Sequence, residues 1–289
     1  MIKFTNSLVK IFLELFVFDR KLRARLKTRF AKAYLKKYVD YGVKIETSPQ
    51  NEYTGNDIIW QYWHQGIDNA PELIKKCFES VRKYMPDKKQ VIITYDTIKN
   101  YIELPKRYYD LLENKKIPIA IFSDILRVYL LNKYGGTWVD STIYLTDKIP
   151  DDIMDSNFCV LQKNPETDNH ENKMSCFFIH TKGYSEHMAV IKNVLDKYWS
   201  ENDFLINYFM FEHISTMLSD RTPALEEEWD KMPYYDAEIT GELQNHLFDD
   251  YTPEGFEEFK QKTSIHKLSY KVIRGSTSGK SYYDYILGD

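Results

Sequence analysis

Residues 117–145 read IPIAIFSDILRVYLLNKYGGTWVDSTIYL, and the rest of the chain can be arranged around them. Pro118 suits the first turn of a helix, and Gly135-Gly136 is a stop signal. Between them the spacing predicts about four turns of helix. Ile119, Ile121, Phe122, Ile125, Leu126, Val128, Tyr129 and Leu130 cover most of its circumference. Ser123, Asp124 and Arg127 share one narrow stripe beside Ala120. A helix apolar nearly all round is a buried helix, and charges inside it are paired or face a ligand. Asp124 and Arg127 are three apart and within reach of each other, so alone they fit an ion pair closing a core as well as a site. The sequence that follows favours a site. The double glycine permits a tight reversal, and Thr137-Trp138-Val139 reads as a short buried strand. That strand delivers Asp140 at its carboxyl end, where open α/β sheets bind ligands.

Ser123-Asp124-x-x-Arg127, then Gly135-Gly136, then Asp140-Ser141-Thr142 resemble the signature of the glycosyltransferases with a DXD sugar motif. That family includes capsular polysaccharide synthesis proteins, Golgi mannosyltransferases and, distantly, large bacterial glucosylating toxins. Its pattern is S-D-x-x-R, a short spacer, and G-G-x-x-x-D-x-D. The capsular branch is the nearest, because IIWQYWHQG (58–66), the Pro71 segment, Trp229-x-x-Met232-Pro233 and IHKLSYK (265–271) are similar to its landmarks. The resemblance runs from Asp57 to Lys271. It departs at Thr142, which stands where the second acid of the DXD would be.

The resemblance implies a GT-A type fold and transfer of a hexose from a nucleotide-sugar donor, expected to be a UDP-sugar. The acceptor would be a lipid-linked saccharide or an oligosaccharide in capsule or exopolysaccharide synthesis, and the anomeric configuration would be retained. By the same resemblance Asp124, Arg127 and Asp140 carry catalysis. Trp60, Gln61, Trp63 and His64 would meet the base and ribose. Ser123, Ser141, Thr142 and Lys267 complete the donor site, Lys267 on the diphosphate, and Asp140 with His266 would hold Mn²⁺ or Mg²⁺. The chemistry fits these residue types. A departing diphosphate must be neutralised by a metal or by basic side chains, and carboxylates accept hydrogen bonds from sugar hydroxyls. Thr142 weakens the metal site, since these hard cations favour anionic oxygen. It also keeps a second reading open, a catalytically silent carbohydrate- or nucleotide-binding subunit that assists a partner transferase.

Upstream, residues 1–40 hold eleven Lys or Arg against three Asp or Glu, although the whole chain has a net charge of −4. The apolar run Leu8–Phe18 is too short to span a bilayer. A basic amphipathic helix follows, with Leu22, Leu26, Phe30, Ala33 and Val39 among its cations. Such a helix lies in an anionic membrane surface or packs on its own domain. The expectation is therefore a helical extension over residues 1–45, a transferase domain over 46–289, and a cytoplasmic protein peripheral to the inner face of the plasma membrane. Nucleic acid is excluded as a partner by the acidic body, which would repel phosphates. Cys77, Cys159 and Cys176 are too few for a disulfide framework, which fits a reducing compartment. The sequence carries no marker of oligomeric state.

Within the body, a polar linker spans 41–57. Strands are expected at 58–63, 90–94, 158–161, 175–179 and 264–271, and helices at 71–84, 184–199, 204–218 and 225–231. Asp96 or Thr97 would cap the helix after the second strand. This alternation argues for a Rossmann-like parallel sheet, giving an α/β fold with a mixed sheet flanked by helices. No phosphate-binding glycine loop of the kinase or dinucleotide kind is present. Residues 164–173 form a polar loop suited to the acceptor side. His180, Glu212 and His213 read as core polar groups, and 275–280 as a surface loop able to close over a diphosphate.

Overall fold

The computed structural model describes residues 8, 13–15, 17–49, 57–271 and 279–288. Positions 9–12 and 16 of the apolar run at 8–18, positions 50–56 of the linker and positions 275–278 of the expected loop lie outside the described residues.

Five strands form one sheet in the order β2 (Lys89–Ile93), β1 (Ile58–Tyr62), β3 (Gly136–Val139), β6 (Met174–Thr181), β5 (Phe158–Gln162). β1 runs parallel to both β2 and β3, whereas β6 is antiparallel to β3 and to β5. The sheet is therefore mixed, as expected, and its direction changes at β3. Every residue of β1 and β3 is buried, the pattern of parallel strands covered on both faces. Successive side chains of β3 serve opposite faces: Trp138 joins the main apolar core with the central helix, and Val139 joins the second core with Ile59, Ile143 and Phe178.

The central helix spans Ile119–Tyr134, starting after Pro118 and ending at Gly135, whose φ of +69° suits glycine. Gly136 has φ +94°, and a Cβ there would lie 2.6 Å from the carbonyl oxygen of Ile58. The two glycines thus let the chain leave the helix and enter the sheet hard against β1.

The N-terminal helix, Arg20–Gly42, is capped by Asp19, which accepts from the Leu22 amide at 2.8 Å. Its second half belongs to the domain. Ala31, Leu35, Tyr38 and Val39 lie in the main core, and a Cβ on Gly42 would meet Val194 at 2.4 Å. The five apolar residues expected as membrane anchors are divided: Val39 is core, Phe30 packs against it, Leu26 is half-buried, and Leu22 and Ala33 are exposed. Among the described residues no helix is long and apolar enough to cross a membrane.

Three local expectations shift. Residues 204–209 turn instead of continuing a helix, which begins at Met210. The segment after β2 is a 3₁₀ turn, Tyr95–Asn100, capped reciprocally by Thr94 and Thr97, because Thr97 Oγ1 accepts from the Thr94 amide at 2.9 Å. The strand at 264–271 shortens to β7, Ile265–Lys267, which pairs antiparallel with β4, Ile143–Leu145, as a separate two-stranded sheet. That pairing sets Lys267 opposite Ile143, next to Thr142.

Candidate active site

A cavity of 570 Å³ opens where β1 and β3 end. Trp63 and His64 reach it from the end of β1, and Asp140, Ser141 and Thr142 from the end of β3. Ser123, Asp124 and Arg127 come from the polar stripe of the central helix, and Lys267, Tyr270 and Lys271 from β7 and beyond.

The charged groups form a continuous chain. Arg127 Nη2 lies 3.0 Å from Asp124 Oδ1 and 3.3 Å from Asp140 Oδ1. Its other terminal nitrogen donates to the Cys176 carbonyl, and its guanidinium rests 4.9 Å from the centre of the Trp138 ring. The Trp138 indole donates to Asp140 Oδ1 at 2.9 Å. The other oxygen, Oδ2, accepts from Lys267 Nζ at 2.7 Å, and the same ammonium donates to Thr142 Oγ1 at 2.6 Å. The strip is held by backbone bonds: the Asp140 amide donates to the Phe177 carbonyl and the Leu268 amide to the Thr142 carbonyl, each at 2.9 Å.

The two aspartates titrate in opposite directions. Burial pushes Asp124 up to about 8 against the pull of Arg127, with the negative charge of Glu212 adding to the rise. Burial acts the same way on Asp140, but Lys267 and Arg127 together hold it below the ordinary carboxylate range. Environments that separate two carboxyl groups in this way allow one to donate and the other to accept at a single pH. Glu212 is also raised by burial, and it accepts from the Cys176 thiol at 3.1 Å.

A family model described as "Capsular polysaccharide synthesis protein" matches residues 15–286. The chain belongs to that family. No curated protein matches it significantly. Among solved structures, one titled "PaToxG Glycosyltransferase" is similar over 72% of this chain and 83% of its own, at 16% identity and a TM-score of 0.43. That likeness carries no functional weight.

In this capsular polysaccharide synthesis protein, nine of the eleven expected donor-site residues line one cavity: Trp63, His64, Ser123, Asp124, Arg127, Asp140, Ser141, Thr142 and Lys267. The other two, Trp60 and Gln61, do not, nor does the expected metal ligand His266. Trp60 is 2% exposed, and its indole donates to the Gly135 carbonyl at 2.9 Å, so it packs beneath the glycine turn. Gln61 is buried on the other face of β1, where its Oε1 accepts from Gln90 at 2.7 Å. Both side chains lie within the strand, and only its last residue, Tyr62, and the loop after it reach the cavity. His266 is likewise turned away from its neighbour Lys267. It is 1% exposed, and its Nε2 lies 3.0 Å from Thr146 Oγ1. The structure does not bring it to Asp140.

These positions bear directly on a divalent cation. The Lys267 ammonium bridges Asp140 and Thr142, the two positions from which a DXD pair would reach a metal. Among the described residues no group of three or more His, Cys, Asp or Glu is arranged to hold one. As they stand, the residues fit a built-in ammonium and do not fit Mn²⁺ or Mg²⁺.

The sequence missed several lining residues: Tyr62, Cys176, Tyr208, Glu212, Tyr270 and Lys271. Glu212 is the consequential one, a third carboxylate at the pocket. Its helical neighbours Phe211 and His213 are core residues, and the His213 imidazole meets Asn172 Oδ1 at 2.8 Å. One signal pointed to it: a glutamate amid Met, Phe and Ile repeats the pattern of Asp124 in the central helix.

Proposed function

We propose that this protein is a glycosyltransferase that moves a hexose from a nucleotide-sugar donor, a UDP-sugar in the first instance, to a saccharide acceptor in capsule synthesis. Family membership supports the pathway, and one feature of the site supports the chemistry: the unbroken chain Asp124–Arg127–Asp140–Lys267 along the wall of a 570 Å³ cavity. Fixed cations of this kind stabilise a diphosphate as it leaves and need no reorganisation at that moment. Lys267 and Lys271 are suited to the diphosphate. Asp124, Asp140 and Glu212 are suited to the sugar hydroxyls, which carboxyl groups can grip in either protonation state.

For the nucleoside end, the Trp63 ring offers a stacking face. Tyr270 braces it edge-on at 5.4 Å between centroids, and the Trp63 indole nitrogen has no hydrogen-bond partner. His64 Nδ1 is tied to the Tyr62 hydroxyl at 2.7 Å, and burial lowers its pKa, so a neutral imidazole faces the ligand. Retention would follow from attack on the face the diphosphate leaves, with a phosphate oxygen taking the acceptor proton. The protein's part in that step is to hold donor and acceptor in register. The basic N-terminal helix supports peripheral contact with the anionic inner face of the plasma membrane.

The test is nucleotide release from a panel of sugar nucleotides by the wild-type protein and by Asp140→Ala, each with Mn²⁺ and with chelator. Release from one donor that the substitution abolishes is the expected result. A nucleotide that binds without release, with any saccharide acceptor supplied, would favour the silent binding subunit. No binding of any sugar nucleotide would remove the transferase reading.

A further inference from the structure

A second cavity, of 330 Å³, adjoins the first, and the two share Tyr208, whose side chain is 57% exposed. Its other walls come from the start of the N-terminal helix and from the polar loop after β5. The helix carries cations on two faces. Arg25, Arg29 and Lys32 grip the loop: Arg29 Nη2 meets Glu171 at 3.0 Å, and Arg25 donates to the Glu166 carbonyl at 3.2 Å. Arg20, Arg23 and Lys27 lie on the other face, at i, i+3 and i+7, and line the cavity. Lys27 reaches the exposed Glu14 at 2.9 Å, but no described carboxylate pairs with Arg20 or Arg23, and none lines the cavity. The remaining lining is partly aromatic and includes Phe30, Phe209 and His170, the last two with ring centroids 4.0 Å apart.

Three like charges around one hollow repel one another, and an anion bound there relieves them. Two guanidinium forks match the oxygens of a phosphate. Close in sequence to these cations, Leu15, Phe18 and Leu22 leave their apolar side chains exposed, Phe18 at 88%. Along the chain the exposed apolar residues adjoin the cations, and Tyr208 joins the two cavities.

We propose that the second cavity is the phosphate subsite of the acceptor. Arg20, Arg23 and Lys27 hold the phosphate of a lipid-phosphate-linked saccharide, the lipid leaves along Leu15, Phe18 and Leu22, and the sugar passes Tyr208 toward the donor. This rests on the transferase reading for the meaning of "acceptor", but its test does not depend on turnover.

The test measures binding of the full chain to phosphatidylcholine vesicles carrying polyprenyl diphosphate, and to vesicles carrying phosphatidylglycerol at equal surface charge. Wild type should bind the diphosphate vesicles at least about tenfold tighter, since two charge-assisted contacts distinguish them. Inorganic diphosphate should compete, and Arg20→Gln/Arg23→Gln should erase the preference. Affinity for the sugar nucleotide, measured separately, should stay as in wild type and reports that the variant is folded. Equal binding to the two vesicle types would mean membrane electrostatics only, and would overturn the subsite. So would an unchanged preference in the double variant, or a parallel loss of nucleotide affinity. If no sugar nucleotide binds wild type while the diphosphate preference holds, the donor reading fails and the phosphate site stands.

Discussion

Lys267 Nζ donates to Asp140 Oδ2 at 2.7 Å, the oxygen opposite the one that Arg127 and Trp138 engage. Asp140 is thereby engaged on both oxygens before any ligand arrives. Removing Lys267 should therefore cost more than one contact with the donor. Lys267→Ala is expected to lower nucleotide release by about a hundredfold, the scale for losing one preorganised group at developing charge. Steady-state release assays with purified variants measure it directly, and a loss of less than about threefold would put the diphosphate elsewhere.

The same contact predicts indifference to chelation. With an ammonium already bridging Asp140 and Thr142, wild-type release in chelator should stay within about twofold of its rate in Mn²⁺. A collapse in chelator, restored by Mn²⁺, would show that Lys267 yields its place to a cation.

Two tryptophans three residues apart should fail in different ways. Trp60→Ala empties the core under the Gly135 turn and should cost about 3–5 kcal/mol of stability, read in thermal or denaturant unfolding. Trp63→Ala, at a half-buried ring packed on Ala70, Ile74 and Phe78, should cost less stability than Trp60→Ala and weaken nucleotide binding by about 1–3 kcal/mol, the value of a base–aromatic stack. Calorimetric titration of both variants separates the roles, and equal nucleotide affinities for Trp63→Ala and wild type would remove Trp63 from the donor site.

How far the sequence spoke is visible in these two residues. The polar stripe of the central helix, the glycine pair and Asp140 were legible because periodicity and turn chemistry are local. The side to which each residue of a fully buried strand points was not, because a run with no polar alternation has no readable phase. Trp60 and Gln61 were misplaced for that reason, and His266 because β7 pairs with β4 in a separate sheet that buries its side chain. Glu212 was passed over because its apolar neighbours mark a buried acid but do not tell one beside a cavity from one that is merely paired.

Titration of Asp124 should appear in the stability of the fold. Its folded pKa lies near 8, above its unfolded value of 3.8, because burial disfavours the charged form. Its contribution is full below about pH 4 and is lost as pH rises toward 8. Asp124→Asn removes the titrating group, so between pH 5 and 8 the variant should lose less stability than wild type. Parallel slopes in melts across that range would mean that Arg127 keeps Asp124 ionised throughout.

A chain beginning at residue 46 should not fold well, even though the basic segment looked separable. Leu35, Tyr38 and Val39 are each almost fully buried in the main core, and each contributes about 1.5–3 kcal/mol on burial. Expression of residues 46–289 should give aggregated protein or a melting point well below that of the full chain. Matching melts would show that the helix only rests on the domain.

The docked helix has a mechanical consequence. Its buried half is bolted to the core, and Arg25, Arg29 and Lys32 tie it to the loop that carries His170 and Glu171. It cannot swing like a tether. Whatever surface its exposed basic side comes to rest on, the catalytic cleft is held above it at one height and one tilt, as a tool is held by its handle.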